Sequence, residues 1–369
     1  MRLIMVVAEM RAGGAERLVA TLARHVLAEH GDVTVASSGG WLAEQLEGAG
    51  ARLVDLPLRG HRVHDLASSA LALRRAAAAC PADVLHAHNV KAAAVAAALA
   101  RPRRAPMPIL VTLHGLPDAR YPAAARILSR CADELVAVSQ PVLDRILSAG
   151  FPSARARVIE NAVAPPAPHP RRKARQRLGL ANDVPVVLCL ARFTPQKRQD
   201  LLVTAWDDVD PRAVLLLAGD GETRPAIERA IARGSRADRI RLLGERRDPD
   251  WLLAAADVCV LPTDWEGLPI SVLEAMSAGV PVVASAVPGV EHLGAAAVEL
   301  IRPGSADALG AGLQHVLGSE RRRRDMTRAA MTLIGTRFGI ESMWLRYRDR
   351  YEALRRRPFV DRAGAGESP

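Results

Sequence analysis

The segment 262–276 carries two carboxylates whose spacing could serve one extended ligand. It reads PTDWEGLPISVLEAM in one-letter code and follows a short apolar run. Pro269 favours the first turn of a helix, which leaves Glu266 in the loop and puts Glu274 near the second turn. With a rise of about 1.5 Å per helical residue, the two carboxylates are about 10 Å apart. That separation is too large for a shared proton or for a hydrolase pair that spans one water.

The separation of Glu266 and Glu274 suits the two ends of an extended ligand such as a nucleotide sugar. One carboxylate would bond the ribose and the other the sugar, while the loop Gly267-Leu268-Pro269 faces the diphosphate with its free N–H groups. The alternative is one carboxylate at a helix N-terminus and one solvated carboxylate. Glu274 has apolar residues on both sides, which makes the alternative less attractive.

A pair of cations follows another apolar run, at residues 188–191. Arg192 comes directly after the run, and Lys197 lies at the start of the next predicted helix. A guanidinium and an ammonium at a helix N-terminus can neutralise the oxygens of a diphosphate. Only Lys91, Lys173 and Lys197 are lysines among 50 basic residues, and a compact ammonium suits a phosphate oxygen. The alternative is a solvated basic turn in an arginine-rich chain.

Gly13 and Gly14 form a third candidate phosphate contact. They follow the first apolar run of the chain and precede an apolar helical segment. Two glycines let the backbone approach a ligand, and the start of a helix directs free N–H groups at it. Glycine pairs before helices are common in α/β proteins, so a simple turn is the alternative.

Two histidines, His86 and His88, follow a fourth apolar run. Their spacing places both side chains on one side of a strand, which is compatible with metal binding. No third ligand is evident in the sequence, so we favour a structural or acceptor-facing role and predict that no metal is bound.

Short apolar runs alternate with longer helical segments along the chain. Such alternation predicts βαβ units, that is, parallel sheets with helices on both faces. The predicted strands cover residues 3–8, 32–37, 52–56, 84–86, 109–113, 134–138, 184–190, 213–218, 239–243, 258–261, 280–284 and 298–301. The segment 305–356 is almost wholly helical in pattern and ends in an amphipathic stretch, 342–354.

A proline-rich segment interrupts this alternation, since proline fits neither a helix interior nor a central strand. We therefore predict an N-terminal domain over residues 1–163, a hinge over 164–172, a C-terminal domain over 173–341 and a flexible tail over 359–369. Doubly wound domains bind ligands beyond the carboxyl ends of their strands, so two of them would face each other across a cleft.

Composition narrows the classes of function. The 369 residues carry a net charge of +10, which is divided evenly between residues 1–165 and the rest, and only 3% of them are aromatic. Basic runs without aromatic residues argue against sequence-specific recognition of nucleic acid. The 49% of hydrophobic residues excludes disorder. The four cysteines lack metal-ligand spacing and no apolar run could span a membrane, so we predict a cytoplasmic protein.

Several short motifs together resemble the retaining glycosyltransferases of family 4, which have the GT-B architecture of two Rossmann-like domains. The resemblance covers essentially the whole chain, and its order and spacing make it specific. It is carried by Gly13-Gly14-Ala15-Glu16, Leu85-His86-Ala87-His88-Asn89, Thr112-Leu113-His114-Gly115, Ala137-Val138-Ser139, Val158-Ile159-Glu160-Asn161-Ala162-Val163, Leu190-Ala191-Arg192 with Gln196-Lys197, Leu217-Ala218-Gly219-Asp220-Gly221, and the pair Glu266 and Glu274.

The resemblance implies a donor site in the C-terminal domain. It implies that Arg192 and Lys197 hold the diphosphate of a nucleoside-diphosphate sugar and offset charge on the departing nucleotide. It also implies that Glu274 bonds the ribose hydroxyls and that Glu266 contacts the donor sugar. No metal and no cofactor are expected, because the nucleotide sugar is itself a substrate.

The resemblance also implies contributions from the N-terminal domain. Gly14 would approach the phosphate, His114 would lie at the donor sugar near the anomeric centre, and residues 342–358 would pack back on this domain. Two departures from the family pattern stand out. Asn161-Ala162-Val163 occupies the hinge where Asn-Gly-Val is usual, and Pro288-Gly289-Val290-Glu291 replaces the frequent Gly-Gly-x-x-Glu.

The expected activity is transfer of a sugar from a UDP- or GDP-linked donor to a hydroxyl acceptor with retention of configuration. The acceptor would be a glycan or a lipid-linked glycan. A nucleotide-sugar 2-epimerase of the same fold and a non-catalytic partner subunit are the alternatives. Residues 101–104 with Arg120, Arg126 and Arg130 would favour peripheral contact with an anionic membrane surface, unless they serve only solubility.

Overall fold

The computed structural model describes residues 1–56, 58, 63–79, 81–100 and 107–356. Two parallel β-sheets, one of seven strands and one of six, organise this part of the chain. In each sheet the strand order reverses direction once, as in doubly wound folds with helices on both faces. The predicted architecture of two doubly wound α/β domains is confirmed.

The N-terminal sheet has the order β3-β2-β1-β4-β5-β6-β7, and all neighbouring strands are parallel. The strands are β1 Arg2–Val6, β2 Asp32–Ser37, β3 Arg52–Asp55, β4 Val84–Ala87, β5 Ile109–Leu113, β6 Glu134–Ala137 and β7 Ala156–Val158. The first six lie within two residues of the predicted runs. β7 was not predicted, because its three residues, with Arg157 at the centre, form no apolar run.

The C-terminal sheet has the order β10-β9-β8-β11-β12-β13 and is also parallel throughout. The strands are β8 Val186–Leu190, β9 Val214–Ala218, β10 Ile240–Gly244, β11 Val258–Leu261, β12 Val282–Ser285 and β13 Val298–Ile301. β8 and β12 begin two residues later than predicted. Pro185 and Pro281 directly precede them, and proline cannot donate a hydrogen bond within a ladder.

The helices connect these strands and complete the two domains. They are α1 Gly14–Ala28, α2 Trp41–Gly48, α3 Val63–Ala79, α4 Val90–Ala100, α5 Tyr121–Cys131, α6 Gln140–Ser148, α7 Arg171–Arg177, α8 Gln199–Thr204, α9 Arg224–Arg233, α10 Pro249–Ala255, α11 Ile270–Ser277, α12 Pro288–Glu291, α13 Ala306–Gly318, α14 Glu320–Arg337 and α15 Ile340–Arg356. The predicted hinge overlaps α7 by two residues. Pro170 caps that helix, a position that proline tolerates.

The last helix, α15, returns to the N-terminal domain. Val163 and Gly339 form a β-bridge where the chain crosses between the domains for the first and second time. Trp344 Nε1 then donates at 2.8 Å to Glu29 Oε1, at the C-cap of α1. The predicted return is confirmed, but α15 begins at Ile340 rather than at residue 342. The predicted tail, 359–369, lies outside the described residues.

Three polar side chains connect the two segments in which the chain passes between the domains. Glu160 lies just before the linker; its Oε1 is 2.7 Å from His292 Nε2, and its Oε2 accepts from Arg337 Nε at 2.7 Å. Burial alone would raise the pKa of Glu160, but the hydrogen bonds from His292 and Arg337 lower it to about 2. The ionised carboxylate therefore stabilises the junction of the two domains.

We expect Glu160→Gln to lower Tm at pH 7 by about 2–4 °C. The folded-state pKa of about 2 lies below the ordinary value of 4.5 for an unfolded chain, so this stabilisation is present above pH 4.5 and is lost as the pH falls toward 2. The difference in Tm between wild type and variant should therefore shrink across that interval in thermal melts. Glu320→Gln is the control, since Glu320 pairs with Arg324 on the surface; equal losses in both variants would contradict the assignment.

Candidate functional site

The carboxyl ends of the two sheets face each other across a cleft. The loop after β11 reaches the N-terminal domain, where Ser139 Oγ donates to Gly267 O at 2.7 Å. Asn161 Nδ2 donates to Leu268 O at 2.8 Å in the same way. Gly267 and Leu268 are therefore held by both domains. The turn at Ala162 accommodates alanine, because Ala162 is not among the residues with positive φ.

Glu266 and Lys197 form an ion pair at the floor of the cleft. Lys197 Nζ donates to Glu266 Oε1, which also accepts from Thr263 Oγ1 at 3.1 Å. Lys197 lies in a 3-10 turn, Pro195–Lys197, just before α8. Both side chains are largely buried, at 16% exposure for Lys197 and 9% for Glu266. The residues expected at the diphosphate and at the sugar are therefore direct neighbours.

Arg192 extends from the end of β8 toward the N-terminal domain. Its Nη1 lies 3.6 Å from Glu9 Oε1 and 3.8 Å from Glu16 Oε1. Glu16 is buried, and desolvation raises the pKa of its carboxyl group although Arg192 opposes the shift. At 48% exposure, the Arg192 side chain remains open to the cleft.

Gly13 and Gly14 lie opposite Arg192 at the start of α1. Gly13 is the N-cap of the helix, and a Cβ atom there would overlap the carboxylate of Glu16. A Cβ atom at Gly14 would lie 3.7 Å from Ile270 Cγ1, at the start of α11. The two helix N-termini thus approach each other closely, and a side chain at position 13 would displace the carboxylate of Glu16.

Glu274 lies in the second turn of α11, as predicted, whereas Pro269 is the N-cap rather than the first helical residue. Glu274 Oε1 accepts a hydrogen bond from Arg17 Nη1 of α1 across the cleft. Burial raises the pKa of Glu274 although Arg17 opposes the shift. A cavity of about 350 Å³ adjoins the pair and is also lined by Trp41 and Arg247. Arg17 lies in no motif that pointed to a functional role.

His114 follows β5 directly, on the N-terminal side of the cleft. Among the residues that the structure describes, no group forms a hydrogen bond with its buried Nε2. Burial, and secondarily the charge of Arg192, lower the pKa of His114 to about 4. The imidazole is therefore neutral at physiological pH.

Three glycines bring His114 and the loop after β11 together. A Cβ atom at Gly267 would overlap His114 O, and one at Gly289 would overlap Gly267 O. Gly115 has a φ of 95°, and its Cβ position lies 2.8 Å from Gly267 N. The motif Pro288-Gly289-Val290-Glu291 thus forms α12 and supports the loop directly. Gly115 and Gly289 belong to motifs of the sequence, but these close backbone contacts could not be predicted from it.

We expect Gly267→Ala to lower kcat/KM about tenfold by forcing the loop away from His114. Gly318→Ala is the matched control, because nothing lies within 4 Å of the Cβ position at Gly318. Steady-state kinetics of both variants check this expectation. Unchanged kinetics for Gly267→Ala would show that the contact does not matter for the reaction.

His86 is not available as a metal ligand. Its Nδ1 is 2.9 Å from Tyr351 Oη and its Nε2 is 2.8 Å from Thr112 Oγ1, so both ring nitrogens are engaged by protein groups. His88 is buried beside it. His86 could bind a metal only by giving up one of these hydrogen bonds.

The sequence of this chain matches two protein families, one in each domain. The family described as Glycosyltransferase Family 4 matches residues 12–165. The family described as Glycosyl transferases group 1 matches residues 170–332. Together they cover every strand except β1, and they include all candidate site residues.

Relatives with assigned activities are similar over part of their length. A GDP-mannose-dependent monoacylated alpha-(1-6)-phosphatidylinositol monomannoside mannosyltransferase of Corynebacterium glutamicum is 31% identical over 261 residues, which cover 64% of this chain and 66% of the relative. A UDP-Gal:alpha-D-GlcNAc-diphosphoundecaprenol alpha-1,3-galactosyltransferase of Escherichia coli is 34% identical over 118 residues, 30% of each chain. The matches thus span less than two thirds of these relatives.

The fold matches solved structures over nearly its whole length. The structure of Anabaena HepE in complex with UDP-glucose superposes with a TM-score of 0.84 at 22% identity, covering 96% of this chain and all of that one. This similarity shows the shared fold. The matches to both domain families identify the chain as a member of the family 4 glycosyltransferases.

Proposed function

We propose that this protein transfers a sugar from a nucleoside-diphosphate sugar, UDP- or GDP-linked, to a hydroxyl acceptor with retention of configuration. The observation that carries the proposal is the convergence, in one cleft, of two cations, two carboxylates and two helix N-termini. Arg192 and Lys197 come from one domain, and Gly13 and Gly14 come from the other. Such an arrangement suits an anionic diphosphate between a ribose and a sugar.

The diphosphate is the leaving group in this reaction. Breaking the bond between the anomeric carbon and the phosphate oxygen places negative charge on that oxygen, and Arg192, Lys197 and the helix N-termini stabilise it. These groups can supply the stabilisation without a resident metal ion. The departing oxygen then accepts the proton of the acceptor hydroxyl, which attacks the same face of the sugar.

The remaining residues hold the donor at both ends. Glu274 accepts hydrogen bonds from the ribose hydroxyls after its hydrogen bond with Arg17 breaks. The cavity beside Glu274 can accommodate the base. Glu266 accepts from hydroxyls of the sugar. His114 bonds the sugar as a neutral ring, which adds no positive charge beside the cationic anomeric carbon of a dissociative transition state.

A panel of UDP- and GDP-sugars tests this proposal. Purified protein with a donor and an acceptor should release nucleoside diphosphate, and NMR of the product should show the anomeric configuration of the donor. A donor incubated alone distinguishes the alternative reaction, because an epimerase changes the sugar without any acceptor. Conversion of the sugar without an acceptor, or an inverted product, would refute the proposed transfer.

We further propose a lipid-linked glycan acceptor and peripheral contact with the cytoplasmic face of a membrane. The acceptors in the names of both relatives are linked to lipids. Arg120, Arg126 and Arg130 are exposed at α5, and Ile127 between them is 39% exposed. Residues 101–104 lie outside the described residues. No helix in the described part of the chain is long and apolar enough to cross a membrane.

We expect the protein to co-sediment with vesicles rich in phosphatidylglycerol at low salt and to dissociate at about 0.5 M NaCl, where charges are screened beyond a few ångströms. The double variant Arg126→Glu and Arg130→Glu should bind less. Arg321→Glu serves as the control, because Arg321 lies on the C-terminal domain and is 90% exposed. Binding that persists in high salt, or no binding at all, would exclude the electrostatic contact.

A further inference from the structure

Two tyrosines of the returning helix α15 reach beneath the cleft. Tyr351 and Tyr347 are fully buried. Tyr351 Oη is 2.9 Å from His86 Nδ1, and Tyr347 Oη is 3.1 Å from Thr112 Oγ1. His86 Nε2 and Thr112 Oγ1 are in turn 2.8 Å apart. This chain of four side chains connects α15 with β4 and β5.

These hydrogen bonds hold both ring nitrogens of His86. A neutral imidazole carries one N–H group and one acceptor nitrogen, so one of its two bonds is donated and the other accepted. His86 can therefore neither flip nor tilt without breaking a buried hydrogen bond. Its ring is thus set by Tyr351 on one side and by Thr112 on the other.

The rings of three histidines lie in a row that leads from His86 to the cleft. The centroids of His86 and His88 are 4.0 Å apart with the ring planes tilted by 40°, and those of His88 and His114 are 5.8 Å apart at an angle of 26°. Within the described part of the chain, neither nitrogen of His88 has a hydrogen-bond partner, and neither does Nε2 of His114. The packing of ring against ring therefore orients these two imidazoles.

We propose that Tyr351 is a positioning residue, which sets the orientation of the His114 imidazole through His86 and His88. This inference rests on the proposed function, in which His114 bonds the donor sugar. The returning helix then has a second task besides joining the domains. It holds the ring that faces the reacting sugar at a fixed angle, which matters because small misplacements of a contacting group cost rate.

Tyr351→Phe removes one hydroxyl and keeps the ring. We expect kcat for transfer to fall about fivefold while the donor KM changes little. In a His114→Ala background the same substitution should change kcat less than twofold, because the group it positions is gone. Equal fold-losses in both backgrounds, or no loss in the wild-type background, would overturn the proposal.

Glu29→Ala is the matched control, because the ring of Trp344 itself packs near Tyr351. The substitution removes the hydrogen bonds that Trp344 and Arg348 of α15 donate to Glu29 at the end of α1, and it leaves the rings of α15 in place. Glu29→Ala should leave kcat unchanged even where it lowers Tm. A loss of kcat that follows Tm in both variants would indicate a purely structural role.

The NMR signals of the histidine rings decide the question independently of turnover. Tyr351→Phe should shift the ring-proton resonances of His114, and Glu29→Ala should not. An unshifted His114 signal in Tyr351→Phe would refute the positioning role even where the activity of His114→Ala is too low to measure. If wild-type protein turns over no nucleotide sugar but the shift is seen, the proposed function fails and the link between Tyr351 and His114 stands.

Discussion

Lys197→Ala is expected to lower kcat/KM for sugar transfer by about 100- to 1000-fold. The ammonium group is largely buried beside Glu266, so its charge acts at short range and with little screening by solvent. Its loss removes a cation from the leaving diphosphate and also leaves the carboxylate of Glu266 facing that diphosphate uncompensated. Both effects raise the energy of the transition state more than that of the bound donor, so kcat should carry most of the loss.

Lys173→Ala separates this effect from a general effect of charge. Lys173 is exposed in α7, outside the cleft, and its removal changes the net charge by the same amount. We expect the activity of this control to equal that of wild type. Kinetics at saturating donor, together with thermal melts of both variants, complete the test. If Lys197→Ala and Lys173→Ala behave alike, Lys197 has no role at the diphosphate.

His114→Ala is expected to lower kcat about 100-fold with a smaller change in donor KM. The ring is neutral because burial lowers its pKa to about 4. It can therefore bond a sugar hydroxyl without repelling the positive charge that develops at the anomeric carbon. As the pH falls through about 4 the ring gains a proton, so kcat should decrease there and should show no step from His114 between pH 6 and 8.

His315→Ala is the comparison for this variant, since His315 is 59% exposed and pairs with Glu299 far from the cleft. Its pH–rate profile should match that of wild type. A His114→Ala variant that retains wild-type kcat, or that loses activity only through KM, would place His114 outside the reaction centre.

The sequence predicts the strands and the positions of the site loops well, for a physical reason. Strands buried on both faces are continuous apolar runs, as β9 and β11 are, so their bounds can be read directly. Residues that follow such runs must lie at the carboxyl edge of a parallel sheet. Arg192, His114 and Glu266 are all found there.

The contacts across the cleft could not be predicted, because they depend on how two separately wound domains meet. Arg17 pairs with Glu274 across 257 positions of sequence. Overlap between backbones, such as that which requires glycine at positions 267 and 289, leaves no pattern in a single sequence. The burial that makes His114 neutral has the same origin.

The most direct test of the central claim is release of nucleoside diphosphate from a panel of UDP- and GDP-sugars, measured side by side for wild type and Lys197→Ala. We expect wild type to release nucleoside diphosphate from at least one donor when an acceptor is present. We expect the rate of release by Lys197→Ala to be at least about 100-fold lower. Release at equal rates by both proteins, or by neither with any donor, would contradict the central claim.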